Sequence, residues 1–511
     1  MYNLIADYKK ESFTLYHNLK IEEENIKAQD IPKIKHNTNI RHLQAFKNLF
    51  NYHFLKQGFR PLLMDEEFSE MTYKVVASET ETYFFAYCID NKNTQFYIKN
   101  IEAQFQKLPN ETPLSYILEL EQTAQKLGFE GVTTGGAVRH FWVKNFKGWF
   151  LTKYKFNTED ISEENYNIIY NSLKGGLNIL NKQYKNKMLY NTITIDINSL
   201  YPYIALNYCL PYDKPVYINY LDDEELKNAS KIHFKYKTCI YKIDILKCKI
   251  KPNKSPWYSV KDGNKTIYPN AIRETAYMWD FEFERLKEDY DLKEFKILGA
   301  LCFKIRRGSF DDIFTYLKNL KESAEKGSVL YKLSKQYLNS FLGKFATKRT
   351  RAYDTYKINE ENDEVEIATT EAQTDNNYYL PLFSYITARG RTFITKYIND
   401  IIGYENFIYS DTDSITCFNC DGLKSIEIDN NKFGYFKIES KNVKAVFKKC
   451  KFYCKETEEG EIKGVCSGIN NEYFTLTCEE FQKGHAVYIK KLVAPCKSCE
   501  FPYEEYFKIY I

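Results

Sequence analysis

Residues 191–206 read NTITIDINSLYPYIAL. The first half alternates β-branched with polar residues, the pattern of a half-buried strand, and the run breaks at Pro202. Asp196 therefore stands at a strand end. A second buried-strand pattern, FIYSDTDSITCF at 407–418, carries Asp411 and Asp413. On an extended strand residues i and i+2 share a face, and a hairpin turn between them splays them slightly. Carboxylates gathered at strand ends are costly unless cations neutralise them. Two Mg²⁺ ions, hard and oxygen-seeking, are the ordinary answer, and such a pair serves in-line phosphoryl displacement.

A third segment, KLSKQYLNSFLG at 332–343, places Lys332, Lys335 and Asn339 at i, i+3 and i+7, on one face of a helix. Ammonium groups opposite a carboxylate pair would clamp a triphosphate and neutralise charge as it moves onto pyrophosphate. Each signal alone is more often bland: a lone DxD is commonly a solvated turn, and a lone KxxxN an exposed helix face. Their joint occurrence, in this order and on the expected elements, is not.

Around these segments the chain reads as a multidomain α/β protein. Up to about residue 130, helical stretches (41–57, 115–127) mix with strand-like runs (73–76, 83–89, 95–98). Residues 208–300 are polar and strand-rich, punctuated by Pro211, Pro215, Pro252, Pro256 and Pro269. Residues 309–345 read as mostly helical, and 347–377 as an extended hairpin or loop insertion.

The 511 residues carry 72 Lys and Arg against 68 Asp and Glu, a net charge of +4, so a polyanionic partner is met by local patches rather than by the whole surface. One such patch places Lys444, Lys448, Lys449, Lys451 and Lys455 among Phe447, Phe452 and Tyr453. No apolar run approaches the ~20 residues of a membrane helix, and the start MYNLIADYKKESF lacks the order of a secretion signal. A cytoplasmic location is expected. Thirteen cysteines fit reduced thiols better than a disulfide framework. The pairs Cys417/Cys420 and Cys496/Cys499 read as scattered thiols rather than as a zinc site.

DINSLYP, KQYLNSFLGKFA and YSDTDS resemble motifs A, B and C of family B DNA polymerases, specifically the protein-primed branch of phages and linear plasmids. LKGGLNIL at 173–180 is similar to the family's YxGG segment, with Leu173 in place of Tyr, and Lys451-Phe452-Tyr453 to its KxY motif. The resemblance implies a right-hand polymerase with palm, fingers, thumb and an N-terminal RNase H-like exonuclease-type domain. It divides the chain into an exonuclease-like part (1–132), palm (133–207 and 381–468), a priming-protein docking insertion (208–305), fingers (306–346), a second insertion (347–380) and thumb (469–511). It makes Asp196, Ile197 and Asp413 metal ligands for two Mg²⁺ ions, for which Mn²⁺ can substitute, with Asp411 a supporting acid and Lys335 a catalytic cation on the triphosphate. It assigns Ile197, Tyr201, Lys321, Lys332, Lys335, Asn339 and Ser340 to the nucleotide, Tyr201 being the steric gate against a 2′-OH. Gly175, Gly176, Lys448, Lys449, Lys451 and Tyr453 fall to DNA. Primer–template DNA, deoxynucleoside triphosphates and a terminal priming protein are the implied partners.

Two departures qualify this. Leu342 replaces the Tyr of motif B, and the proofreading acids are not matched: Lys9 stands where a Glu is needed and Lys47 where an Asp is needed. An ammonium at a metal-binding position repels the ion, so proofreading is expected to be lost. Two other readings stand beside the polymerase: a catalytically silent DNA-binding scaffold of a replication complex, and a polymerase that needs no primer.

Overall fold

The computed structural model describes residues 123–484 except 130–133, 149–150, 152–155, 157–160, 263–264, 348–349, 360–363, 374–377 and 467–475. For the strands between 350 and 373, and for those in 2–100 and 486–510, it describes the backbone. The expected exonuclease motifs at Lys9 and Lys47, the helix at 41–57 and the Cys496/Cys499 pair lie outside the described residues. The backbone does show strands Met71–Ala77, Thr82–Asp90 and Asn93–Asn100 where strand-like runs were read.

Along the described chain, helices Thr134–Asn145 (α1) and Glu163–Ser172 (α2) lead into strands Leu177–Leu180 (β1) and Met188–Ile197 (β2). Helix Leu200–Asn207 (α3), strand Leu210–Asn219 (β3), helix Asp223–Lys235 (α4) and strands Thr238–Ile250 (β4) and Ala271–Trp279 (β5) follow. Then come helix Asp280–Asp289 (α5), strand Tyr290–Arg306 (β6) and helices Asp311–Ser323 (α6), Val329–Gly343 (α7) and Leu380–Lys396 (α8). The chain continues through strands Phe407–Thr412 (β7), Ser414–Phe418 (β8), Phe436–Lys449 (β9), Phe452–Thr457 (β10) and Ile462–Cys466 (β11) to helix Cys478–Lys483 (α9). The insertion after Phe345 is an antiparallel hairpin, Thr350–Asn359 with Glu364–Gln373, as its sequence suggested.

The central sheet has the order β1-β7-β8-β2-β9-β10-β11 and is antiparallel throughout. Ile195 and Ile197 of β2 are buried in one core with Leu382, Ile386 and Ile394 of α8. Side chains alternate along a strand, so Asp196 between them faces the opposite side of the sheet. The sequence reading ran the strand on to Pro202, but β2 ends at Ile197 and Pro202 sits in the first turn of α3. Proline is tolerated there because the first helical amides have no intrahelical acceptor to lose.

Helices α6 and α7 pair beside α1. Phe310, Phe314, Phe341, Phe345 and Trp142 make a fully buried or nearly buried aromatic core between them, with Phe310 and Phe341 centroids 5.5 Å apart. Ser328 starts α7, its Oγ accepting from the Tyr331 amide, which satisfies one orphan donor of the first turn.

Strands β3-β6-β4-β5 form a second antiparallel sheet over residues 210–306, edged by α4 and α5. Charged contacts bind it to the segment containing α8, among them Lys254 with Asp400 at 2.9 Å. Arg285 of α5 holds Asp289 and Asp400 at 2.6 Å each, and buried Glu282 accepts from Arg391 at 2.6 Å. Breaking such a buried pair from one side typically costs about 3–5 kcal/mol, because a buried charge is left uncompensated.

Candidate active site

The turn between β7 and β8 decides where the acids go. Thr412 adopts a left-handed backbone, φ 61°, and the Asp413 amide donates to the Asp411 carbonyl at 2.7 Å, so the chain reverses within two residues. Asp411 pairs with Ser414 across the hairpin. The two acids therefore do not share a face as they would on one continuous strand. Asp413 turns toward Asp196, and the Ile197 amide donates to the Asp413 carbonyl at 2.9 Å, stitching the two acid-bearing segments together. Asp411 instead accepts from the Tyr409 hydroxyl at 3.3 Å and meets the Lys451 ammonium at 3.4 Å.

Asp196 and Asp413 open into one cleft of about 1110 Å³, whose facing wall is Lys318, Lys321 and Lys326 of the α6 side and Lys335 and Asn339 of α7. Burial, with the charges of Asp196 and Asp411, pushes the Asp413 carboxyl up to about 7. Burial also raises Asp196, against the pull of the Lys437 ammonium, 2.8 Å away. Opposite, burial and the like charges of Lys335 and Lys437 lower Lys321. Two partly buried carboxylates, with the Ile197 backbone between them, are a hard oxygen donor set of the kind that suits a divalent cation. The buried Ile197 side chain cannot contribute, so only its carbonyl is available.

A family model described as DNA polymerase type B, organellar and viral, matches residues 139–448, more than half of the chain. The chain belongs to that family. Among curated relatives, the DNA polymerase of Bacillus phage phi29 is 29% identical over 323 residues, covering 60% of this chain and 53% of its own. That of Bacillus phage Nf is 27% identical over 363 residues, 69% and 60% respectively. The chain thus spans little more than half the length of the curated relatives it matches. The solved structure of phi29 DNA polymerase complexed with primer-template DNA and incoming nucleotide substrates superposes with a TM-score of 0.62 at 23% identity, covering 74% of this chain and 69% of that one. The fold is that of a multidomain right-hand polymerase.

Within the type B polymerase site, Asp196, Ile197, Lys321, Lys335, Asn339 and Asp413 all line the cleft. Lys332 does not. It is exposed one helical turn before Lys335, while Tyr331 takes the place on the cleft wall expected for it. Ser340 is bound back to its own helix, its Oγ donating to the Gln336 carbonyl at 2.6 Å. Tyr201 is not among the residues lining the cleft; it is largely buried within reach of the charges of Asp413 and Asp411, and burial pushes its hydroxyl up to about 12. Its ring rests on α8, where a Cβ added to Gly390 would come within 3.0 Å of it.

Of the basic patch, Lys448, Lys449 and Lys451 reach the surface, with Lys448 and Lys449 5.0 and 4.9 Å over the rings of Phe481 and Phe452. Tyr453 stacks against Tyr409 and Phe447. The other two cations correct the sequence reading. Lys455 is only 5% exposed and donates to Thr194 at 3.0 Å, and Lys444 is held by Glu479 at 2.5 Å and Glu456 at 3.5 Å, so neither is set to track phosphates.

Two residues the sequence reading passed over are central. Arg391 of α8, 2% exposed, donates to the carbonyls of Lys174 and Gly175 as well as to Glu282, and so positions the GG segment beside the hairpin. The available signal was a pair of arginines, Arg389 and Arg391, inside the helical run SYITARGRTFI. Lys437 pairs with Asp196 across strands 241 residues apart in number, and no local pattern announces it.

Proposed function

We propose that this chain is a DNA-templated DNA polymerase that extends a primer, and that the primer is a protein. The observation that carries the reading is the cleft in which Asp196, at the end of β2, and Asp413, in the β7–β8 turn beside it, face the lysines of α6 and α7. Asp196, Asp413 and the Ile197 carbonyl would hold two Mg²⁺ ions. Bound there, the ions would lower the pKa of the attacking 3′-hydroxyl and offset the negative charge of the leaving pyrophosphate. Lys335 and Lys321 hold the triphosphate from the other wall, where their fixed charge takes up the negative charge that develops on the leaving group. Tyr201 stands under the sugar and excludes a 2′-OH. Arg391 keeps Gly175 and Gly176 against the Asp413 hairpin, while Lys448, Lys449, Lys451 and Tyr453 line the path of the primer strand.

The sheet over 210–306 is separate from the central sheet though it shares its core, and on this reading it docks the priming protein. Proofreading is absent on this reading, because Lys9 and Lys47 bring positive charge where acids are needed. The test is extension of a hydroxyl-bearing protein primer and of a DNA primer, with Asp196→Ala and Asp413→Ala as controls. Because such ligands act as a unit, each single loss should approach the double loss. Near-normal extension by Asp413→Ala, or equal synthesis without any primer, would overturn it.

A further inference from the structure

Lys437 and Asp196 are direct partners across β9 and β2, and the Lys437 Nζ sits 2.8 Å from the Asp196 Oδ1. Pairing between the two strands shifts at this point: Thr194 faces Ser440 but Ile195 faces Ile438, leaving Glu439 as an extra residue. A bulge of this kind re-aims side chains. Its result here is that Lys437, Ile438 and Glu439, three in succession, all line the cleft, where regular alternation would send Ile438 to the other face.

The ammonium thus rests on the cleft side of the carboxylate that a divalent ion would need. It is not locked there. The Lys437 side chain is 38% exposed, its ion pair among the described residues is with Asp196, and its four-carbon stem lies on the cleft it lines together with Lys321 and Asp413. We propose that Lys437 is a tethered counter-ion of Asp196: it pairs with the carboxylate when no divalent ion is bound, is displaced when one binds, and then joins Lys321 and Lys335 on the triphosphate. Metal and nucleotide binding are thereby coupled, since the ion frees the cation that the phosphates use. The inference deepens the polymerase reading and rests on Asp196 being a metal ligand.

The experiment is Mn²⁺ binding to the full chain without DNA or nucleotide, followed by the electron paramagnetic resonance signal of the free ion. Removing a competing cation in Lys437→Met is expected to tighten Mn²⁺ by about fivefold, the scale of a partly exposed ion pair, and Lys437→Arg to leave it close to the parent. A second readout is the affinity for a non-hydrolysable deoxynucleoside triphosphate at saturating Mn²⁺, which should weaken in Lys437→Met while Mn²⁺ binding tightens. Lys437→Gln provides the same comparison should the Met variant fold poorly. Unchanged or weaker Mn²⁺ binding in both neutral variants, with Asp196→Asn still abolishing it, sinks the counter-ion role alone. If Asp196→Asn leaves Mn²⁺ binding untouched, the metal assignment falls and this inference with it.

Discussion

Gly176 packs so closely on Thr412 that a Cβ added to the glycine would lie 2.8 Å from the threonine Cγ2. Real carbon atoms do not approach that near, so Gly176→Ala must push the left-handed Thr412 and, with it, the turn that presents Asp413. Misplacing a reacting group by about 1 Å can cost on the order of a hundredfold. Primer extension by Gly176→Ala should therefore fall at least tenfold on this scale, with a thermal midpoint close to the parent. Thr412→Gly removes the obstructing atoms and suits the positive φ, so the double variant should recover much of the loss. Equal defects in the single and double variants would place the role of Gly176 elsewhere.

Helix α7 separates two lysines that motif spacing had grouped. Lys335 lines the cleft and Lys332 does not, since residues three apart on a helix differ by about 60° in direction. Lys335→Ala should lower turnover and raise the apparent nucleotide KM together, because a charge on the moving phosphates serves both ground and transition states. Lys332→Ala should change neither by more than about twofold, the scale of an exposed charge outside the cleft. Steady-state kinetics on a primed template check both, and equal defects would mean that the helix turns when nucleotide binds.

Sugar discrimination is expected to rest on Tyr201. Its ring is backed by Gly390, so it cannot retreat from a ribose hydroxyl into the helix behind it. Tyr201→Val should raise incorporation of ribonucleotides relative to deoxynucleotides while leaving deoxynucleotide turnover within about tenfold, since no charged group is removed. A competition assay with both nucleotides reads the ratio directly. An unchanged ratio would locate the gate at another residue.

The elements whose chemistry is local were legible in the sequence. The β-branched alternation of β2, the helical spacing of Lys332, Lys335 and Asn339 in α7 and the polar break after Phe345 announced a strand, a helix and an extended hairpin or loop insertion. What the sequence hid depends on single backbone angles or on partners far away in the chain. The i, i+2 spacing of Asp411 and Asp413 predicted one face, and the positive φ of Thr412 sent them to different neighbours. The Lys437–Asp196 pair needs a strand pairing and a bulge that no window of sequence contains. The run of lysines from 444 to 455 looked uniform, yet β10 turns Lys455 inward while Lys448 and Lys449 stay at the surface.

Lys455 yields the pH-dependent prediction. Burial lowers its ammonium from the ordinary 10.5 to about 8; the charges of Glu439 and Asp411 oppose the shift and that of Lys463 adds to it. Contacts with Thr194 at 3.0 Å and with the Tyr453 ring at 4.8 Å favour the ion, but the net direction is downward, so desolvation wins. Below pH 8 the group is charged in the folded and unfolded chains alike, and the folded chain carries the whole cost. Between about 8 and 10.5 the folded chain has released its proton while the unfolded chain retains it, so stability rises with pH across that window and levels off above it. Lys455→Met, similar in shape and uncharged, should therefore stabilise the protein at pH 7 by on the order of 3 kcal/mol, the equivalent of the shift, and by almost nothing near pH 10.5. Thr194 keeps a partner in Thr416 at 2.9 Å, so no hydroxyl is orphaned by the change. Thermal unfolding of both proteins at pH 7 and pH 10 measures the difference of differences, in which the titration of every other lysine and tyrosine cancels. A Met variant less stable than the parent at pH 7 would mean that the hydroxyl and ring contacts outweigh the burial of the charge.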